Sequence, residues 1–137
     1  MAQYKRLSPA TALIVENEVL VRTELAYIVS QAGLLVVEAG DADEAIRLLD
    51  SHPEIEVMVT DIRMPGSMDG IRLAHHVRHR WPPVQIIIAS GRLETELSEL
   101  PAGSDFIAKP FSHEAIEAAV RRMTELSSAR HGGHWAA

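Results

Sequence analysis

Five short apolar runs, separated by stretches of helical spacing, constrain the fold of this chain more than any other feature. The runs are Ala12–Val15, Leu34–Val37, Val57–Val59, Val84–Ala89 and Phe106–Ala108. Continuous runs of this length, rich in Val and Ile, fit strands covered by helices on both faces, as parallel strands are. Between them, apolar residues recur at three- and four-residue intervals. The sets are Val21, Leu25, Ile28 and Ala32; Ala42, Ala45, Ile46 and Leu49; Ile71, Ala74, Val77 and Trp81; and Ile116, Ala119, Met123 and Leu126. A further short helix is expected over Glu94–Leu100, closed by Pro101 and Gly103. This alternation predicts an α/β protein with a doubly wound, five-stranded parallel sheet and right-handed crossovers.

Local punctuation agrees. Gly33 follows the first helical stripe, where a residue free to adopt positive φ is favoured. Asp41 with Glu44 three residues later reads as a capping box, with Asp in place of Ser or Thr. Asp69-Gly70 reads as the opening of the third helix, and Pro82-Pro83 stops it before the fourth strand. The segment Ser127–Ala137, with Gly132-Gly133, reads as a frayed or disordered tail. The expected organisation is an extension over residues 1–10, one domain over 11–127 and a flexible tail over 128–137.

Composition removes several function classes. The chain has 137 residues and no cysteine, so disulfide scaffolds, thiol nucleophiles and Cys-ligated metals are excluded. With 13 Lys+Arg against 19 Asp+Glu, the net charge of −6 argues against a broad basic face for nucleic acid. No apolar stretch approaches the ~18–20 residues of a membrane helix, and none follows the N-terminus as a signal peptide requires. A soluble, cytoplasmic protein with no direct nucleic-acid or membrane partner is expected.

In open α/β sheets, ligands bind beyond the carboxyl ends of the strands. The polar residues that directly follow the apolar runs are therefore the candidates. Run one ends in Glu16-Asn17-Glu18, run three in Thr60-Asp61, run four in Ser90-Gly91 and run five in Lys109-Pro110. Carboxylates from two strands, a hydroxyl from a third and an ammonium from a fourth would meet at one end of the sheet. Oxygen ligands without nitrogen or sulfur suit Mg²⁺ better than Zn²⁺. A carboxylate can also act as a nucleophile toward phosphorus, with a lysine and a metal neutralising charge.

The segment Val59-Thr60-Asp61-Ile62-Arg63-Met64-Pro65-Gly66-Ser67-Met68-Asp69-Gly70 resembles the phosphoacceptor region of bacterial response-regulator receiver domains. Lys109-Pro110-Phe111 after an apolar strand and Ile14-Val15-Glu16 near the start resemble the same family, in the same order, over roughly residues 11–127. The resemblance implies a flavodoxin-like (βα)5 fold with strand order 2-1-3-4-5. It implies that Asp61 takes a phosphoryl group from a histidine kinase or phosphotransfer protein. Mg²⁺ would be held by Glu16, Asn17, Asp61 and the backbone carbonyl of Arg63. Lys109 would bind the phosphoryl oxygens, the Lys109-Pro110 bond would be cis, and Phe106 would be the aromatic switch. Output would pass to a protein target through segment 94–100, the last strand and the last helix. A homodimer is left open.

Two departures from the family pattern stand out. Its two adjacent acids after the first strand are here Glu16-Asn17, which predicts weakened but not abolished Mg²⁺ binding. Its Ser/Thr switch falls on either Ala89 or Ser90, and Ser90 is the expected working hydroxyl. Both departures keep a second reading open, a pseudo-receiver acting only as an interaction module. An aspartate-nucleophile phosphatase would need an acid two residues after Asp61, where Arg63 stands, so enzymatic activity beyond self-phosphorylation and autodephosphorylation is not expected. His75 and His79 lie one turn apart on the third helix, but among Arg72, Arg78 and Arg80 they read as a solvated basic face.

Overall fold

The computed structural model describes residues 9–91 and 99–135. Strands β1 (Thr11–Val15), β2 (Leu35–Ala39), β3 (Ile55–Thr60), β4 (Gln85–Ser90) and β5 (Asp105–Ala108) form one sheet. Its order is β2-β1-β3-β4-β5, and every neighbouring pair is parallel. Helices α1 (Val19–Gln31), α2 (Ala42–Ser51), α3 (Gly70–Arg80) and α4 (His113–Trp135) connect and cover it. The expected helix over Glu94–Leu100 lies almost wholly outside the described residues. Among those described, no helix is long and apolar enough to cross a membrane.

The period of two along each strand divides the core into two layers. Ala12, Ile14, Val57, Val59, Ile87 and Ala89 face one layer, which α1 and α4 close with Leu25, Ile28, Ile116 and Val120. Leu13, Val15, Met58, Ile86 and Ile88 face the other, closed by Ala45 and Leu49 of α2 and Leu73 and Val77 of α3. The central strands β1, β3 and β4 are buried along nearly their whole length.

The expectation of burial on both faces fails for the two edge strands, β2 and β5. Leu35 is 56% exposed, because the sheet order places β2 at an edge, where one side has no neighbouring strand. The apolar stripe of the last helix ends at Met123, and Leu126 is about half exposed. The helix itself continues to Trp135, across the region expected to fray. Once a helix is nucleated, each added residue contributes one more backbone bond, so propagation does not require the apolar stripe.

The expected caps are present. Asp41 Oδ1 accepts from the Glu44 N–H at 2.9 Å, while Glu44 returns to the N–H of Gly40 at 2.8 Å. The return bond reaches one residue further back than in the usual box. Asp69 Oδ1 accepts from Arg72 N–H at 2.9 Å and opens α3. Gly33, at φ 98°, ends α1. Trp81 ends α3, packs on the second core layer and carries the Arg80 guanidinium 4.9 Å from its ring centre.

Candidate functional site

Sheet hydrogen bonding extends one step beyond three strands and fixes the backbone at the carboxyl edge. Glu16 N–H donates to Ala39 O at 3.0 Å, Asp61 N–H to Val15 O at 3.1 Å and Lys109 N–H to Ser90 O at 2.9 Å. Glu16 continues the alternation of Ala12 and Ile14, Asp61 that of Val57 and Val59, and Lys109 that of Ile107. All three therefore project on the α1/α4 side of the sheet. Strand alternation, not loop folding, gathers the cluster.

Lys109 Nζ lies 3.2 Å from Glu16 Oε1 and 3.0 Å from Asp61 Oδ2, so one ammonium bridges both carboxylates. The Glu16 side chain is almost fully buried, Asp61 is 12% exposed and Lys109 is 26% exposed. Further bonds hold each acid: Glu16 Oε2 accepts from Glu18 N–H at 3.1 Å, and Asp61 Oδ1 from Ile62 N–H at 2.7 Å. Burial pushes the Glu16 carboxyl above its ordinary value, and the Asp61 charge pushes the same way, against the Glu18 N–H and Lys109. For Lys109, burial favours the neutral amine, but the hydrogen bonds and charges of Asp61 and Glu16 outweigh it and hold the ammonium above its ordinary range.

The structure places the two candidate switch positions, Ser90 and Ala89, on opposite faces of β4. Ser90 is buried at the end of β4 but follows the alternation of Ile86 and Ile88, which face the α2/α3 layer. Ala89 shares the face of Val59 and Ile107, which Asp61 and Lys109 continue, so on that face β4 presents a methyl group. A one-residue step along a strand reverses the face, and no local pattern tells which residue that step favours. Phe106 pairs in register with Ile88 and rests, half-buried, on the α2/α3 layer, opposite in face to Lys109. Asn17 and Arg63 are exposed at the rim, in the loops after β1 and β3. The Lys109-Pro110 bond is cis, as expected.

Two residues at the site carry no local sequence signal of their role there. Arg22 on α1 donates from Nη1 to the Glu16 carbonyl at 2.9 Å and from Nε to Glu38 Oε1 at 3.2 Å. Gly70 packs directly under Asp61: a Cβ there would stand 1.8 Å from the Asp61 carbonyl oxygen. In the sequence, the position of Gly70 marks only the start of a helix.

A carboxylate from Glu16, a carboxylate from Asp61, the Asn17 amide oxygen and the Arg63 carbonyl make an all-oxygen donor set, which fits a hard divalent cation such as Mg²⁺. Among the described residues no three acids or histidines are grouped as a metal site.

Fold and site together define a flavodoxin-like α/β protein with an acid–lysine cluster at the carboxyl edge of its sheet. The chain belongs to the response regulator receiver domain family, whose model matches residues 12–121. It is 34% identical over 128 residues to the transcriptional regulatory protein PdtaR of Mycobacterium tuberculosis, covering 88% of this chain and 61% of that protein. It is 32% identical over 120 residues to the two-component response regulator PhoP of Pseudomonas aeruginosa, covering 85% of this chain and 52% of that protein. The chain thus spans little more than half the length of these relatives. The crystal structure of a response regulator receiver protein from Sinorhizobium medicae superposes with a TM-score of 0.81 at 27% identity, over 89% of this chain and 99% of that one.

Proposed function

We propose that this receiver domain accepts a phosphoryl group on Asp61 from the phosphohistidine of a sensor kinase or phosphotransfer protein, and signals to a protein target through its altered surface. The observation that carries this reading is the Lys109 ammonium bridging the Glu16 and Asp61 carboxylates. An Asp61 carboxylate oxygen attacks phosphorus, the P–N bond to the donor imidazole breaks, and its electron pair returns to the ring nitrogen. Lys109, already within hydrogen-bond reach of Asp61, neutralises charge on the transferred oxygens. Glu16, Asn17, Asp61 and the Arg63 carbonyl would hold Mg²⁺, which when bound supplies further charge neutralisation. The reading includes a cytoplasmic setting and no catalysis beyond self-phosphorylation and autodephosphorylation.

Acetyl phosphate with Mg²⁺, followed by mass spectrometry, tests this. Wild type is expected to gain one phosphoryl group and Asp61→Asn none, with beryllofluoride shifting the NMR signals of wild type alone. Asn17 and Ala89 favour the second reading, a phosphorylation-independent interaction module. A wild type inert to both reagents would establish that alternative.

Asn17→Asp restores the missing charge. A unit charge pair at 4 Å contributes about 4 kcal/mol at an effective dielectric of 20, and desolvation offsets most of it. A net gain of ~1 kcal/mol corresponds to roughly fivefold tighter Mg²⁺ binding. Calorimetric titration of both proteins checks it, and unchanged affinity would mean that Asn17 lies outside the metal's reach.

A further inference from the structure

The geometry points to Arg22 as a positioning residue that fixes the Glu16–Asn17 peptide for cation binding, an inference that rests on the Mg²⁺ reading above. Arg22 lies in the first turn of α1, where its own N–H donates to Glu18 O at 2.9 Å. Its guanidinium joins three elements. Nη1 holds the Glu16 carbonyl, Nε holds Glu38 at the end of β2, and the group lies across Gly40, where a Cβ would stand 3.4 Å from Nη1. The side chain is 21% exposed, so the contacts are partly shielded from water.

The consequence follows from peptide planarity. Gripping the Glu16 carbonyl fixes the plane of the Glu16–Asn17 peptide, and therefore the direction in which Asn17 leaves the strand. Glu16 N–H is fixed from the other side by Ala39 O, and its carboxylate by Glu18 N–H and Lys109. Arg22 adds a restraint on the Glu16 carbonyl oxygen itself. Groups that orient metal ligands commonly change affinity 10–100-fold when removed. A planar guanidinium can hold a carbonyl and a carboxylate at once, whereas a lysine ammonium is a single point charge on a flexible stem.

Positioning and charge predict opposite signs. Removing a positive charge near a divalent cation would by itself tighten binding. If Arg22 positions the peptide, Arg22→Ala binds Mg²⁺ about tenfold more weakly in spite of that gain. Arg22→Lys, which keeps the charge but not the fork, is also weakened, and Glu38→Gln shows a smaller loss in the same direction. The measurement is a Mg²⁺ titration of the full chain, read from the backbone amide NMR signals of Asn17 and Glu18. Amide hydrogen exchange at Glu18, whose N–H binds the Glu16 carboxylate, provides a metal-free readout and is expected to accelerate in Arg22→Ala and Arg22→Lys. Should Arg22→Ala fail to fold, Arg22→Lys and Glu38→Gln carry the test. Equal or tighter Mg²⁺ binding, or unchanged Glu18 exchange, overturns the inference. A wild type that binds no Mg²⁺ overturns the metal reading, and Glu18 exchange then decides alone whether Arg22 orients the turn.

Discussion

Gly70→Ala is expected to lower the melting temperature by ~10 °C and to displace the backbone of Asp61. Two effects of opposite sign compete. Alanine at the first position of α3 would favour the helix by up to about 1 kcal/mol over glycine. Against this, its Cβ would lie 1.8 Å from the Asp61 carbonyl oxygen, 2.7 Å from its carbonyl carbon and 2.9 Å from Ile62 Cα. All three are backbone atoms, and Gly70 N–H is itself bonded to Ile62 O at 2.7 Å, so no side chain can rotate away. Overpacking against a rigid neighbour costs ~3 kcal/mol or more, and the clash wins. Thermal unfolding gives the stability, and NMR shifts at Asp61 and Ile62 report the displacement. Gly91→Ala, where a Cβ meets nothing within 4 Å among the described residues, serves as the control and is expected to change little. Equal stability of the two variants would mean that the β3–α3 turn can yield.

Lys109→Ala is expected to destabilise the domain by about 2 kcal/mol near neutral pH, and by less at both acidic and strongly alkaline pH. Removing one partner of a fully buried ion pair costs ~3–5 kcal/mol because the remaining charge is stranded. Here the partial exposure of Lys109 and Asp61 reduces that figure. Its pH dependence follows from the two raised titrations. The folded pKa of Glu16 lies above its ordinary 4.5, so the stability it contributes is complete below that value and is lost as pH rises through the folded value. Without Lys109 the Glu16 pKa rises further, and the variant protonates Glu16 at a pH where wild type keeps it ionised. The penalty therefore shrinks on acidification. At the alkaline end, Lys109 stabilises wild type fully below its ordinary 10.5 and ceases to do so above its raised folded value. There the two proteins converge. Urea unfolding across the pH range reads the difference directly, and a penalty independent of pH would assign the Lys109 effect to packing of its aliphatic stem. The same variant is expected to take up phosphoryl groups from acetyl phosphate more slowly than wild type.

Much of the site is legible in the sequence. Glu16, Asp61 and Lys109 each follow an apolar run directly, and a parallel sheet carries all such ends to one edge. The caps at Asp41 and Asp69 are short-range hydrogen bonds, which is why residue type and spacing reveal them. Ser90 and Ala89 look equivalent in a list of residues, yet a single step along β4 turns one toward α2 and α3 and the other toward α1 and α4. The exposure of Leu35 depends on β2 being an edge strand, a property of sheet order that no residue within β2 records.

The sequence by itself determined which described segments become strands and helices, where α2 and α3 begin, and which charged residues stand at the strand ends. It could do so because periods of two and near four, proline and glycine placement, and cap chemistry act over a few neighbouring residues. Only the tertiary structure decided that Ala89 and Asp61 share a side of the sheet, that Gly70 must remain without a side chain, and that Arg22 ties Glu16 to Glu38. Each of these depends on segments distant in the chain meeting at one register and one distance. Packing of two core layers against a twisted sheet sets that geometry, and local propensity has no term for it.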